Sequence, residues 1–135
     1  MSKEEMIKIL NEARAEELKA VYQYMNHYYE GQGTNSPPIV AMFKNFAISE
    51  MKHAYKCAER ITALGGRPVY GVLPIRRGNS LEEMIRINHQ DESKAVEMYT
   101  SMINKAGEDT TTRRLLEKFL EDEEEHVAEF EKLLK

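Results

Sequence analysis

The chain has 135 residues, a length that favours one compact domain with a core large enough to do without disulfides. Charged residues make up 31% and apolar residues 41%, which excludes a disordered chain. The net charge is −4 and no Lys/Arg-rich arm sits at either end, so nucleic acid is not the expected partner and metal cations suit the balance better. The opening MSKEEMIKIL is charged from its third residue, and the longest apolar stretch, Ile39 to Phe43, is five residues. Neither a signal peptide nor a membrane partner is expected. The single cysteine, Cys57, cannot form an intramolecular bridge, and the cytoplasm is the expected compartment.

Glycine and proline gather in GQGTNSPP (31–38), in residues 65–78 and around AGEDT (106–110), leaving four long segments between them. Helix α1 is predicted over about 3–30. Helix α2, about 37–65, opens with Ser36 as cap and Pro37 in the first turn, and ends at Gly65. Helix α3, about 80–106, opens with Ser80 followed by Glu82 and Glu83, a favourable placement of negative charge in a first turn. Helix α4 covers about 110–134. Each would be about 40 Å long at roughly 1.5 Å per residue. The expected fold is an all-α, up-down four-helix bundle with a long crossover over residues 66–79, which brings α3 alongside α2 in the same direction.

Alternating steps of four and three residues trace one apolar stripe per helix. In α1 it reads Met6, Leu10, Ala13, Glu17, Ala20, Tyr24, and in α2 Ile39, Phe43, Phe46, Glu50, His53, Cys57, Ile61, Leu64. In α3 it reads Leu81, Ile85, Asn88, Glu92, Ala95, Tyr99, Met102, and in α4 Leu116, Phe119, Glu123, His126, Phe130, Leu133. Every stripe is apolar at both ends and carries a glutamate near its middle. Helices of equal length place their midpoints at one level, so Glu17, Glu50, His53, Glu92, Glu123 and His126 should converge inside the bundle.

An isolated buried carboxylate costs several kcal/mol, and four together also repel. Two divalent cations would cancel the four charges and leave two imidazoles as neutral donors. Glu50 and His53 lie one turn apart on one face, as do Glu123 and His126, so each pair can grip one ion, with Glu17 and Glu92 completing the site as terminal or bridging ligands. Carboxylate with imidazole and no thiolate suits iron or manganese. The pattern is also duplicated: a lone Glu precedes Glu-x-x-His by 33 residues in the first half and by 31 in the second. One Glu-x-x-His alone is usually a solvated pair, whereas two at matched inward positions with two further glutamates are not. The rest of the run EDEEE (121–125) reads as surface charge.

Among the neighbours, Tyr24 lies two turns beyond Glu17 on the inward face, where its hydroxyl could bond a ligand carboxylate or take part in electron transfer. Cys57 reads as a small apolar filler. Asn88 is a candidate hydrogen-bond partner for a ligand. His27 and His89 have no partner motif and read as surface residues or neighbours of the ligands.

Four stretches, EELKAVYQY (16–24), SEMKHAYKCAERITALGGRP (49–68), LEEMIRINHQDESKAVE (81–97) and FLEDEEEH (119–126), together resemble the four ligand-bearing helices of the ferritin-like superfamily, most closely its bacterioferritin group. The resemblance places the family's ferroxidase ligands on Glu17, Glu50, His53, Glu92, Glu123 and His126. It implies two iron ions per chain, Fe(II) oxidation by O2 or H2O2, and a homo-oligomeric shell holding ferric mineral. The alternative it leaves is a peroxide- or oxygen-scavenging oxidoreductase without storage; a third reading is a helical interaction module whose inward polar groups only set register. Met51, in EMKHA, matches the methionine that ligates haem b between two bacterioferritin subunits and should point away from the carboxylates. Bacterioferritins continue from the fourth helix into a short fifth, whereas this sequence ends at Lys135, so the expected shell is of open size.

Overall fold

The computed structural model describes residues 1–135, with helices α1 (Lys3–Glu30), α2 (Ser36–Ala63), α3 (Leu81–Ala106) and α4 (Thr110–Leu133) and no strand. Three of the starts are capped by side chains. Ser2 Oγ accepts from Glu5 N at 3.2 Å, Ser80 Oγ accepts from Glu83 N at 3.1 Å, and Asp109 Oδ1 accepts from Thr112 N at 3.1 Å. The start of α2 departs from expectation. Asn35, not Ser36, occupies its cap position and makes no side-chain cap bond. Ser36, Pro37 and Pro38 form the first turn, where a missing proline N–H leaves no intrahelical bond unmade.

Side-chain contacts fix the directions. Tyr24 stacks on Phe43 across α1–α2, Phe46 stacks on His126 across α2–α4, Tyr99 meets Phe119 edge to face across α3–α4, and Gln23 bonds Asn88 across α1–α3. In each pair a late residue of one helix meets an early residue of the other or two midpoints meet, as antiparallel packing requires. The order is therefore up, down, down, up, with α2 and α3 parallel as the crossover predicts. Their placement is a correction: α3 packs against α4 and α1, so α2 and α3 are diagonal partners and do not lie alongside each other.

The crossover is tied along α1. Asn11 Nδ2 donates to the Arg67 carbonyl at 3.1 Å and its Oδ1 accepts from Val69 N at 2.9 Å, while Arg14 Nε donates to the Val69 carbonyl at 2.8 Å. Farther along, Arg76 N donates to Gln23 Oε1 at 2.9 Å. The turn that launches this segment needs glycine twice. Gly65 has φ +89°, and a Cβ on Gly66 would meet Ile7 Cγ2 at 2.7 Å.

The apolar stripes close as two separate clusters. One holds Leu10, Cys57, Ile61, Tyr99, Leu116 and Phe119 among others, and the second holds Tyr24, Phe43, Ala47, Met84, Ile85 and Phe130. The polar level lies between them. Leu133 is a further correction, since it is exposed while its neighbour Leu134 packs on the second cluster. No helix is long and apolar enough to cross a membrane.

His27 is fully buried, not at the surface. Its tautomer follows from one unambiguous donor, the Arg76 backbone N–H, which fixes the Gln23 amide. Gln23 Nε2 then donates to Asn88 Oδ1 at 2.9 Å, Asn88 Nδ2 donates to His27 Nδ1 at 2.8 Å, and His27 Nε2–H donates to the Arg76 carbonyl at 2.8 Å. A second proton on the ring would face the Asn88 amide. Burial lowers the His27 pKa, so the unfolded chain binds the proton first and stability falls as pH drops below about 6.5. Thermal unfolding between pH 7.5 and 5 should show wild type losing up to about 1.4 kcal/mol per pH unit more than His27→Gln in that window; parallel pH profiles would refute the assignment.

Candidate metal centre

The six inward polar residues meet where the four helix midpoints cross, and all six are buried. His53 Nδ1 lies 2.8 Å from Glu17 Oε2, and His126 Nδ1 lies 2.9 Å from Glu92 Oε2. Each histidine thus takes its nearest carboxylate from a neighbouring helix, not from the glutamate three residues before it. Glu50 and Glu123 stand between the two halves. Glu50 Oε1 is 3.6 Å from His53 Nδ1 and 3.5 Å from His126 Nδ1, and Glu123 Oε1 has the same two separations.

Two overlapping groups of four result, Glu17–Glu50–His53–Glu123 and Glu50–Glu92–Glu123–His126, and within each the ligand atoms lie within 4.8 Å of one another. Each group keeps the expected pair together, Glu50 with His53 and Glu123 with His126. Glu50 and Glu123 belong to both groups, while Glu17 and Glu92 each belong to one.

The donor set fits metal cations on grounds internal to the site. Glu50 Oε1 and both Glu123 carboxylate oxygens are buried without a hydrogen-bond partner. Burial, and then the charges of Glu123, Glu17 and Glu92, hold the Glu50 pKa well above the carboxylate range; burial and the charges of Glu17 and Glu92 do the same to Glu123. Burial raises Glu17 too, against the opposing pull of His53. At His53, burial disfavours the imidazolium, but Glu17 and Asp122 outweigh it and raise the pKa. Without metal, therefore, burial and mutual repulsion oppose the carboxylate charges at this level, while Glu17 and Asp122 favour the charged form of His53.

Tyr24 donates from its hydroxyl to Glu92 Oε1 at 3.0 Å. Tyr99 stands seven residues after Glu92 as Tyr24 stands seven after Glu17, and its buried hydroxyl has no hydrogen-bond partner. Asp122 was not legible as a site residue: its carboxylate accepts from His53 Nε2 at 2.8 Å, so it is not simple surface charge like Glu121, Glu124 and Glu125. Asn88 bonds Gln23, His27 and the Met84 carbonyl, and no ligand carboxylate. His89 lies 3.5 Å from Glu131, away from the centre. Cys57 is buried, and desolvation followed by the Glu17 charge pushes its thiol pKa up, which suits a filler. Met51 points outward at 41% exposure, beside an apolar groove with Val21, Met25 and Ile48.

A cavity of about 340 Å³ opens between α1 and α3 and reaches Glu17, Glu50, Glu92 and Glu123, with Lys19, Asp91 and Lys94 on its walls. It offers a polar path from solvent to the carboxylates.

A ferritin-like domain model matches residues 7–135, nearly the whole chain. The chain belongs to the ferritin-like family. The bacterioferritin of Desulfovibrio desulfuricans is 34% identical over 134 residues, which span 97% of this chain and 75% of that protein. Its crystal structure, described with a diiron site in different catalytic states, superposes with a TM-score of 0.91 over 97% of this chain and 78% of that one. A ferritin-like diiron-carboxylate protein of Bacillus anthracis, 28% identical, matches over 100% of both chains with a TM-score of 0.93. The bacterioferritin-related protein of Bacteroides fragilis, a dodecameric thioferritin, is 26% identical, with a TM-score of 0.92 over 99% of this ferritin-like chain and 86% of that one.

Replacing a central carboxylate by its neutral isostere should stabilise the metal-free protein. Because the folded-state pKa of Glu50 is raised, its penalty is absent below the unfolded value of about 4.3 and grows as pH rises above it. Glu50→Gln should gain about 1–3 kcal/mol at pH 7 and nothing near pH 4. Chemical denaturation of chelator-treated protein at both pH values measures this, and a destabilised variant at pH 7 would contradict the crowding of charge described above.

Proposed function

We propose that this chain is a ferroxidase that binds two Fe(II) ions as substrate and oxidises them with O2 or H2O2, contributing to iron storage or detoxification in a homo-oligomer. The observation that carries the reading is the position of Glu50 and Glu123, buried between two inward-facing imidazoles with unpartnered oxygens. In this reading Glu17 with His53 holds one ion, Glu92 with His126 holds the other, and Glu50 and Glu123 bridge. Histidine, carboxylate and the absence of thiolate from the donor set favour iron, with manganese the alternative ion.

Each Fe(II) supplies one electron, so two ions together reduce O2 to H2O2 or H2O2 to water. The chain's own groups manage the charge. Ion entry displaces the proton between His53 Nδ1 and Glu17, and the four carboxylates, already crowded, become less repulsive as positive charge rises. Tyr24 holds Glu92 by its Oε1 and leaves Oε2 toward the ion side. The cavity between α1 and α3 gives ions and a small oxidant access without opening the bundle.

Assembly as a homo-oligomer is supported by the outer face of α1 and α2, where Tyr22, Met25, Tyr29, Ile48, Met51 and Tyr55 are exposed. Met51 could offer its thioether to a haem only on that face. Haem titration followed by absorbance should give a band that Met51→Ala loses; no band in wild type, or an unchanged band in the variant, would rule out haem at Met51.

Anaerobic titration should reach two Fe(II) per chain, and on exposure to oxidant Tyr24→Phe should retain the stoichiometry while slowing turnover. Glu50→Ala and Glu123→Ala should each lose at least one ion; unchanged stoichiometry in both would refute the ligand assignment. Gel filtration before and after iron loading separates storage from scavenging, since a small assembly holding no more than its two ions per chain favours the latter.

A further inference from the structure

The two halves of the centre are not equally braced from outside. His53 presents Nδ1 to the carboxylates and lays Nε2 2.8 Å from Asp122 Oδ2, while the other Asp122 oxygen accepts from Lys118 Nζ at 3.0 Å. His126 presents the same atom inward, 2.9 Å from Glu92, but that is its one side-chain hydrogen bond, and its Nε2 has no protein partner. Its ring rests on Phe46, with centroids 3.9 Å apart and planes 22° from parallel.

The internal repeat identifies the missing brace. Asp122 immediately precedes Glu123 on α4 and reaches across to the histidine of α2. The residue in the same place in the first half is Ser49, which immediately precedes Glu50 on α2 and would have to reach the histidine of α4. A serine side chain is shorter than an aspartate by one heavy-atom bond and carries no charge, and Ser49 makes no bond to His126. Both positions are half-buried, so the difference lies in the residue and not in its setting.

A carboxylate on the outer nitrogen of a metal-binding imidazole fixes the tautomer, orients the ring and makes the inner nitrogen a better donor; losing it typically costs 10–100-fold in affinity. The stack on Phe46 restrains the tilt of His126 but does not decide which nitrogen carries the proton. We propose that Asp122 acts as a positioning residue that makes the two metal positions unequal: the Glu17–His53 position fills first and holds its ion, and the Glu92–His126 position is the weaker, exchangeable one. This inference rests on the two-ion reading above.

Co(II), which does not turn over in air, is the probe, followed by calorimetry and by its visible d–d absorbance. Wild type should bind in two steps whose affinities differ by roughly 10–100-fold. Asp122→Asn should weaken the tight step by that factor and leave the weak one in place. Ser49→Asp should do the reverse, tightening the weak step until the two merge, a gain that structural damage cannot produce. Helical dichroism checks that Asp122→Asn is folded; where it is not, the Ser49→Asp arm decides. Two equal steps in wild type, equal weakening of both in Asp122→Asn, or an unchanged curve in Ser49→Asp each overturn the inference while leaving the metal centre intact. Absence of Co(II) binding, or two steps that survive Glu50→Ala, overturns the metal centre itself.

Discussion

Four buried carboxylates at one level of the bundle set the terms for the rest of the molecule. Each costs several kcal/mol to bury, and their mutual repulsion adds to the cost. The surrounding structure is strong enough to impose it because the polar level is clamped between two apolar clusters, with Phe119 and Tyr99 on one side and Phe43 and Phe130 on the other. In the metal-free chain the penalty shows as raised carboxylate pKa values, and Glu17 and Asp122 pull His53 toward its charged form. A pair of bound cations would offset it, so affinity for cations and the cost of burying the carboxylates would have the same origin.

The level of the site could be read from sequence because the helical repeat leaves few positions inward, and a glutamate among Leu10, Ala13 and Tyr24, or among Phe46 and Cys57, has no surface to reach. Spacing within one helix shows which residues share a face. It is silent on what faces them. Glu50 and His53 were legible as neighbours on α2, but that His53 turns to Glu17 of α1, and that Glu50 stands midway to His126, depends on how the helices are rotated against one another. Asp122 escaped for a related reason. It lies one step off the inward stripe inside an acidic run, and only its reach across to α2 separates it from Glu121 and Glu124. The cap of α2 was misplaced by one residue because Asn35 and Ser36 are both good cap types, and the following prolines are tolerated in either frame.

Duplication gives the centre an approximate two-fold symmetry that the side chains then break. Glu17 with His53 corresponds to Glu92 with His126, and Tyr24 corresponds to Tyr99. Tyr24 bonds Glu92, a carboxylate of the opposite half, and Tyr99 sits in the field of Glu17 at the corresponding place. Asp122 has no counterpart at Ser49. One half therefore has its histidine held from outside by a carboxylate and the other does not, so two positions lined by the same kinds of side chain have different outer surroundings.

The crossover shapes the centre as much as the inward side chains do. The cavity that reaches the carboxylates lies between α1 and α3, helices that no short loop joins. Besides the Tyr24–Glu92 bond, they are tied near the cavity by a polar chain in which Gln23 of α1 bonds Asn88 and Asp91 of α3, while Arg76 of the crossover donates its backbone N–H to Gln23 and its guanidinium to Asp91 at 2.6 Å. Gln23, Asn88 and Asp91 also line the cavity. A loosened crossover would therefore disturb its wall before disturbing any metal ligand. The spacing between α1 and α3, and with it access to the centre, is thus set in part by a segment that contributes no ligand.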